Sequence, residues 1–301
     1  MLALSGYQIT EEIASGVRTA IFRGHNEQGN SSVIIKVLKS EYPTVEEITR
    51  LKQEYKITHD LQCEGIVRAT NFQKYLHSFA LILEDFGGQS LQQLISARRL
   101  SLTEFLNIAI ALTRTLGELH KLSVIHKDIK PSNILINSFR NEVKITDFSI
   151  ATRLDRENKI INNPNLLEGT LAYMSPEQTG RMNRSLDYRT DFYSLGITFY
   201  EILTGQLPFT TTDPLELVYS HIAIKPVPPH QLNPEIPTAV SEITMKLLAK
   251  TAEERYQSAE GLKFDLENCL EQLQKMGKIE NFTPGQRDRK FSARIIRYFK
   301  I

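Results

Sequence analysis

Little in this chain points to a disulfide scaffold, a metal cluster or a membrane. Only two cysteines, Cys63 and Cys269, occur in 301 residues, far apart and in no metal-like or disulfide-like spacing. A reduced, cytoplasmic setting is the simplest reading. Charge of one sign is lacking too: 36 lysines and arginines face 35 aspartates and glutamates, a formal net charge of +1. Bulk charge therefore gives no reason to expect nucleic acid or an anionic surface as a partner. No apolar run reaches spanning length, and the opening "MLALSGYQIT" lacks both a basic start and a long apolar stretch. We expect neither a membrane span nor a signal peptide. Repeats and low-complexity blocks are missing as well. What remains is an ordinary globular composition, 41% hydrophobic and 24% charged. The length suits one large two-lobed domain or two ordinary ones, with a real core.

The texture changes once along the chain. "YQITEEI", "TAIFRGH", "SVIIKVL", "GIVRATNFQ" and "SFALILEDF" are short, β-branched or alternating, and divided by polar or glycine breaks, as strands are. One helix interrupts them: "TVEEITRLKQEYKITHDL" places Val45, Ile48, Leu51 and Tyr55 on one face. After "EDFGGQS" come long helical patterns, "LTEFLNIAIALTRTLGELHKL" and "LDYRTDFYSLGITFYEILTG", the second ended by Gly205. Between them lie a polar loop and a small hairpin, "NILINSFRNEVKITDF". The proline-rich "KPVPPHQLNPEIP" reads as a surface connection, followed by helices to about residue 276. A β-rich first part and a helical second part predict two lobes with a cleft between them and a hinge near "EDFGG".

The residues that carry chemistry cluster in "VIHKDIKPSNILI". Phosphoryl transfer needs an acceptor for a hydroxyl proton, a cation near the transferred group and an oxygen ligand for magnesium. Asp128, Lys130 and Asn133 are of the right types and sit in one loop. Further on, "ITDF" places Asp147 at the end of a predicted strand, as a second metal carboxylate. Magnesium takes few protein oxygens beside phosphates, so the pair Asn133 and Asp147 is chemically sensible. Alone, an Asp-x-Lys-x-x-Asn run would read as a turn with a solvated lysine. Lys36 alone would read as a strand-end surface residue and Glu54 alone as helix solvation. Their joint order is what argues against those readings.

In that order the chain resembles a eukaryotic-type serine/threonine protein kinase domain of the kind also found in bacteria. The resemblance covers roughly residues 7–270. "HKDIKPSN" resembles the catalytic loop, "TDFS" the metal-binding segment, "GTLAYMSPEQ" the end of the activation segment, and "DFYSLGITFYEILTG" the large central helix of the second lobe. It implies an α+β, two-lobed protein kinase-like fold, with an N-lobe at about 7–85, a C-lobe at about 90–270 and a basic tail or linker at 271–301. By the same resemblance Asp128 and Lys130 are catalytic, Asn133 and Asp147 hold magnesium, and Lys36 grips the ATP phosphates with Glu54 as its ion-pair partner. Leu83 stands at the gatekeeper position. Backbone groups of Glu84 and Phe86 meet the adenine edge, while Ile21, Ile34 and Leu135 sandwich its faces. Glu177 with Arg255, and His126 with Asp191, match structural pairs that fix the activation segment and the catalytic loop. Lys130 and Thr170 favour serine or threonine as acceptor. A protein substrate is implied, and other signalling domains are natural partners, since such bacterial domains often head multidomain proteins.

The departures matter as much. The phosphate-covering loop would be Ile13, Ala14, Ser15, Gly16, Val17, Arg18, Thr19, Ala20 and Ile21, where the family's G-x-G-x-x-G-x-V keeps only its middle glycine. Glycine lets backbone amides approach phosphates and adopt positive φ. We expect a stiffer loop and weakened phosphate clamping, not its absence. Ser149 replaces the glycine of the metal-binding segment and should restrict its swings. Ile34 replaces a small residue and tightens the roof over adenine. Lys127 replaces an arginine that in the family commonly holds a phosphorylated activation loop through bidentate bonds lysine cannot copy. Activity should therefore depend little on phosphorylation at Ser149, Thr152 or Thr170. The eroded loop also motivates a second reading, a pseudokinase acting as an ATP-binding regulatory module. Against it, every side chain with a direct chemical job is present. A small-molecule kinase is a more distant third, disfavoured by "GTLAYMSPEQ". The tail "QRDRKFSARIIRYFKI" could form an amphipathic membrane or partner helix, but a linker or solvated end is the preferred reading.

Overall fold

The computed structural model describes residues 4–29, 31–153, 171–182 and 184–288. Its first lobe is one antiparallel sheet. Strands β1 (Tyr7–Ser15), β2 (Thr19–Asn26), β3 (Ser32–Leu38), β4 (Ala69–Tyr75) and β5 (Ser78–Glu84) lie in the order β1-β2-β3-β5-β4. Helix α1 (Val45–Asp60) crosses between β3 and β4. Side chains alternate across a strand, and the sheet uses both faces. Val33, Ile35 and Val37 of β3 join Ala80 and Ile82 of β5 in one core. Leu81 and Leu83 of β5 join Leu51 of α1 in the other, with Ile34 and Leu135 packed against it. Lys36 shares the second face with Ile34, so the alternation that builds the sheet also aims the lysine at the cleft.

Helix α1 starts at Thr44, whose hydroxyl accepts from the Glu47 amide while the Glu47 carboxylate accepts from the Thr44 amide. The buried stripe is Leu51, Glu54, Ile57 and Thr58. Val45, expected on the packed face, is 82% exposed. It sits at the first helical position, and the buried stripe begins only at Leu51, six residues later.

The second lobe begins with β6 (Gln89–Ser90), α2 (Leu91–Ala97) and α3 (Leu102–Lys121), then β7 (Val124–Ile125), β8 (Ile134–Asn137), β9 (Glu142–Ile145) and β10 (Thr152–Arg153). β6, β8 and β9 form a small sheet and β7 pairs with β10. Helices α4 (Arg189–Thr204), α5 (Pro214–Ala223), α6 (Pro229–Leu232), α7 (Thr238–Leu247) and α8 (Ala259–Met276) complete it. Gly205 ends α4 at φ +74, a conformation that glycine adopts without penalty. The large core runs between α3, α4, α7 and α8, through Leu112, Leu116, Phe199, Ile243, Leu262 and Leu266. Ile279 and Phe282, beyond α8, rest against it. Among the described residues no helix is long and apolar enough to cross a membrane.

Candidate active site

Between the lobes, a buried ammonium bridges two carboxylates. Lys36 Nζ donates to Glu54 Oε2 at 2.8 Å and Oε1 at 3.1 Å, and to Asp147 Oδ1 at 2.9 Å. Lys36 and Glu54 are almost wholly buried, whereas a third of the Asp147 side chain is exposed to the cleft. Burial alone would lower the Lys36 ammonium, but Asp147 and Glu54 outweigh it and hold its pKa up. Burial likewise opposes the Asp147 carboxylate, yet the Lys36 charge keeps it well below the usual range. Glu54 is raised, because burial and the neighbouring Asp147 charge exceed what its share of Lys36 returns.

The polar loop folds as a compact cage around Asp128. Asp191, fully buried at the start of α4, accepts from two consecutive amides, His126 N–H at 3.0 Å and Lys127 N–H at 2.8 Å. Gln178 Nε2 holds the Lys127 carbonyl at 2.9 Å. Lys127 is thereby held at φ +69; Asp147, on a separate segment, sits at φ +64. Left-handed non-glycine residues cost energy and persist where surrounding bonds over-determine them. Asp128 Oδ2 accepts from Lys130 Nζ at 2.6 Å and from Asn133 Nδ2 at 2.9 Å. Its other oxygen, Oδ1, is buried with no hydrogen-bond partner among the described residues. Asn133 Nδ2 donates to Asp128 twice over, to its carboxylate and to its carbonyl at 2.9 Å. With Nδ2 so engaged, the Asn133 side-chain oxygen makes no hydrogen bond among the described residues.

A magnesium ion fits this donor set: the Asn133 oxygen and the second Asp147 oxygen are hard ligands on neighbouring elements. Among the described residues no cluster of three or more His, Cys, Asp or Glu side chains could hold a metal alone. A two-ligand site completed by phosphates is consistent with that.

The expected adenine residues also converge. Ile34 and Leu135 pack against the cluster that contains Leu83, and Ile21 is the register partner of Lys36 across β2 and β3. The Phe86 carbonyl is taken by Asn137 Nδ2 at 2.9 Å, while its N–H makes no hydrogen bond among the described residues. The loop Ile13–Ile21 forms the β1–β2 hairpin, closed by Gly16 N–H to the Thr19 carbonyl at 2.9 Å. Gly16 does not use positive φ here, and a Cβ on it would make only ordinary contacts with Thr19. The conformational freedom expected of this glycine is therefore unused in this arrangement. Lys39 pins the hairpin tip through Ser15 Oγ and the Gly16 carbonyl. Ser149 needs no left-handed φ either, and its amide faces Asp147 Oδ1 at 3.4 Å.

The two scaffold pairs differ in form. Arg255 holds Glu177 with two bonds, Nη1 to Oε1 at 2.6 Å and Nη2 to Oε2 at 2.8 Å, and Thr190 Oγ1 adds a third at 2.8 Å. Removing one member of such a buried pair costs about 3–5 kcal/mol, because the other charge is stranded. His126 reaches Asp191 through its backbone amide, not its ring. The ring bonds the Thr146 carbonyl at 3.1 Å, accepts from the Asp128 amide at 3.2 Å and meets Phe148 edge-on. Sequence reasoning missed His120, whose Nε2 lies 2.9 Å from Asp191 Oδ2, as well as Gln178 and Phe148. Nothing in their spacing signals these contacts. Thr170 and the tail from 289 onward lie outside the described residues.

Known proteins match the same span. The protein kinase domain family matches residues 7–265. A probable serine/threonine-protein kinase of Clostridium perfringens is 32% identical over 263 residues, covering 87% of this chain and 38% of that protein. The serine/threonine-protein kinase PrkC of Bacillus subtilis is 30% identical over 267 residues, 88% of this chain and 40% of PrkC. A probable serine/threonine-protein kinase PknB of Lactococcus lactis is 29% identical, with 86% and 41% covered. The chain thus spans about two fifths of the length of these curated relatives. A family match over most of the chain, where the cleft chemistry also lies, means that this chain belongs to the protein kinase domain family, of the eukaryotic-type serine/threonine kind.

Proposed function

We propose that the domain transfers the γ-phosphate of ATP to serine or threonine hydroxyls of proteins, with magnesium, in signalling. The observation that carries the reading is the Lys36 bridge to Glu54 and Asp147, formed beside a loop in which Lys130 and Asn133 hold the Asp128 carboxylate. Lys36, aimed by Glu54, meets the α- and β-phosphates. Asn133 and Asp147 hold magnesium, which when bound offsets phosphate charge. Asp128 orients the acceptor hydroxyl and takes its proton, while Lys130, 2.6 Å from its Oδ2, faces the transferring group. Catalysis is then mostly positioning and electrostatics. Both cysteines are free and buried, which suits a reduced cytoplasm.

The test follows labelled γ-phosphate from ATP and magnesium into the protein itself and into a generic acceptor protein. We expect label on serine or threonine. Asp128→Asn should lower the rate by about 10²–10⁴-fold with nucleotide binding intact. A loss below about tenfold would remove Asp128 from the role of base. No label at all, with ATP bound, would favour the pseudokinase and leave the domain as a nucleotide-dependent recruiter.

A further inference from the structure

The hinge carries two adjacent carboxylates that grip opposite walls of the cleft. Asp85 Oδ2 accepts from Arg23 Nε at 2.8 Å and from Ser32 Oγ at 2.6 Å, while Oδ1 accepts from the Gly87 amide at 2.9 Å. Arg23 is itself anchored on β1 by Glu11 Oε1. Glu84, one residue earlier, bonds Lys144 of β9, the register partner of Leu135. Lys144 also lies over the Phe86 ring, 5.1 Å from its centre.

The register gives these bonds their meaning. Arg23 is two residues from Ile21 on β2, and Ser32 is two from Ile34 on β3, so each shares a face with a roof residue. Arg23 and Ile34 are direct cross-strand partners. Asp85 therefore ties the hinge to the surface that carries the adenine roof, and Glu84 ties it to the strand pair that carries the floor. The Asp85 side chain is 9% exposed and that of Arg23 34%, so the pair is partly shielded from solvent on the Asp85 side. Burial would raise the Asp85 carboxyl, but Ser32, the Gly87 amide and the Arg23 charge hold it below its ordinary value.

We propose that Asp85 is a positioning residue for the nucleotide: through Arg23 and Ser32 it fixes the roof strands against the hinge and sets the height of the adenine slot. This rests on the kinase reading above. Among the described residues neither Arg23 nor Ser32 bonds Lys36, Asp128, Asn133 or Asp147, so their loss should loosen nucleotide binding without touching the transfer step.

The ties are cut from the roof side, by Arg23→Met and Ser32→Ala together, because Asp85 also shapes the Gly87 turn. ADP affinity with magnesium is measured by calorimetry, beside ATP KM, kcat and the thermal midpoint. Charge-assisted bonds at partial burial predict a rise of about tenfold in ADP Kd and ATP KM. The kcat should stay within about twofold, since the lost interaction is made equally in ground and transition states. Arg23→Lys, which can still make one bond, should recover part of the affinity. A folded double variant whose ADP Kd stays within about twofold of the parent overturns the proposal. So does a fall in kcat and thermal midpoint at unchanged Kd, which would make the bonds purely structural. If the parent binds ADP but transfers no phosphate, the kinase reading fails and the Kd comparison still decides the role of Asp85. If the parent binds no nucleotide, both fall.

Discussion

Lys127 stands where the family's arginine commonly receives a phosphate, yet the groups that such a phosphate would help to order are already in place. The Lys36–Glu54 pair is closed and Lys127 is held at both its amide and its carbonyl. Thr152 is a poor acceptor besides. Its Oγ1 is buried with no partner among the described residues, where β10 pairs with β7. Thr152→Ala should therefore change the phosphate-transfer rate by less than about fivefold, the equivalent of ~1 kcal/mol. Abolished activity that returns in Thr152→Glu would show that phosphorylation there is needed after all. At this scale the sequence was legible where residues stand in an ordered motif: it singled out Lys36, Asp128, Asn133 and Asp147, and the fold joins Lys36 to Asp147 and Asp128 to Asn133. Asp85 and Gln178 were not legible. Their partners lie 62 and 51 residues away, on elements whose meeting depends on the whole fold.

The strands of the first lobe could be read because two-residue alternation leaves a mark on every position, and the helices because their caps are written locally. Helix α3 shows this best. Ser101 Oγ accepts from the Glu104 amide, and the Glu104 carboxylate accepts from the Ser101 amide and from Arg98. Arg98, together with that amide, lowers the Glu104 pKa from 4.5 to about 2. Ser101→Ala should cost about 1 kcal/mol of stability, read as a shift in the denaturant midpoint. The Glu104 contribution has a defined pH window. A carboxylate whose folded pKa is depressed adds stability above its unfolded value and loses it as pH falls through the folded value. The stability gap between the parent and Glu104→Gln should be open at neutral pH and close as pH falls from 4.5 toward 2. A gap that persists at the acid end would mean that the side chain acts by packing and not by charge. The gap will be small, because both side chains are more than 40% exposed and the pair is screened. Val45 misled for the converse reason: helical spacing marks a face but not how far along the helix that face meets its neighbour.

The chain after α8 belongs physically to the second lobe. Asp288 is 2% exposed and accepts from the Gln257 amide at 2.6 Å and from Ser258 Oγ at 2.7 Å. Ser258 is the residue that caps α8, so Asp288 braces the start of the last helix from beyond its end. The Gly285 amide bonds Asp265 Oδ2, which also takes the Tyr256 hydroxyl. Arg287 stacks on Phe264, 3.9 Å from the ring centre. None of this has a periodic signature, which is why the sequence suggests a tail from 271. The packing argues instead for a domain that continues to about 288. Its end is also wired inward. Gln257 Oε1 accepts from Arg189 Nη1 at 2.7 Å, the Arg189 carbonyl accepts from Arg255 Nη1 at 3.0 Å, and Arg255 grips Glu177. Shortening the protein to residues 1–277 deletes the brace while leaving every residue of the proposed catalytic site. The two bonds to the Asp288 carboxylate, the Gly285 bond to Asp265 and the partly buried contacts of Ile279 and Phe282 are lost together, about 2 kcal/mol or more, which lowers the thermal midpoint by at least ~4 °C in a domain of this size. A midpoint unchanged within about 1 °C would return these residues to the status of a linker. If instead the midpoint falls and phosphate transfer falls with it at constant nucleotide affinity, the exit of the chain is coupled to the Glu177 anchor, and whatever follows the domain has a physical route to its activation segment.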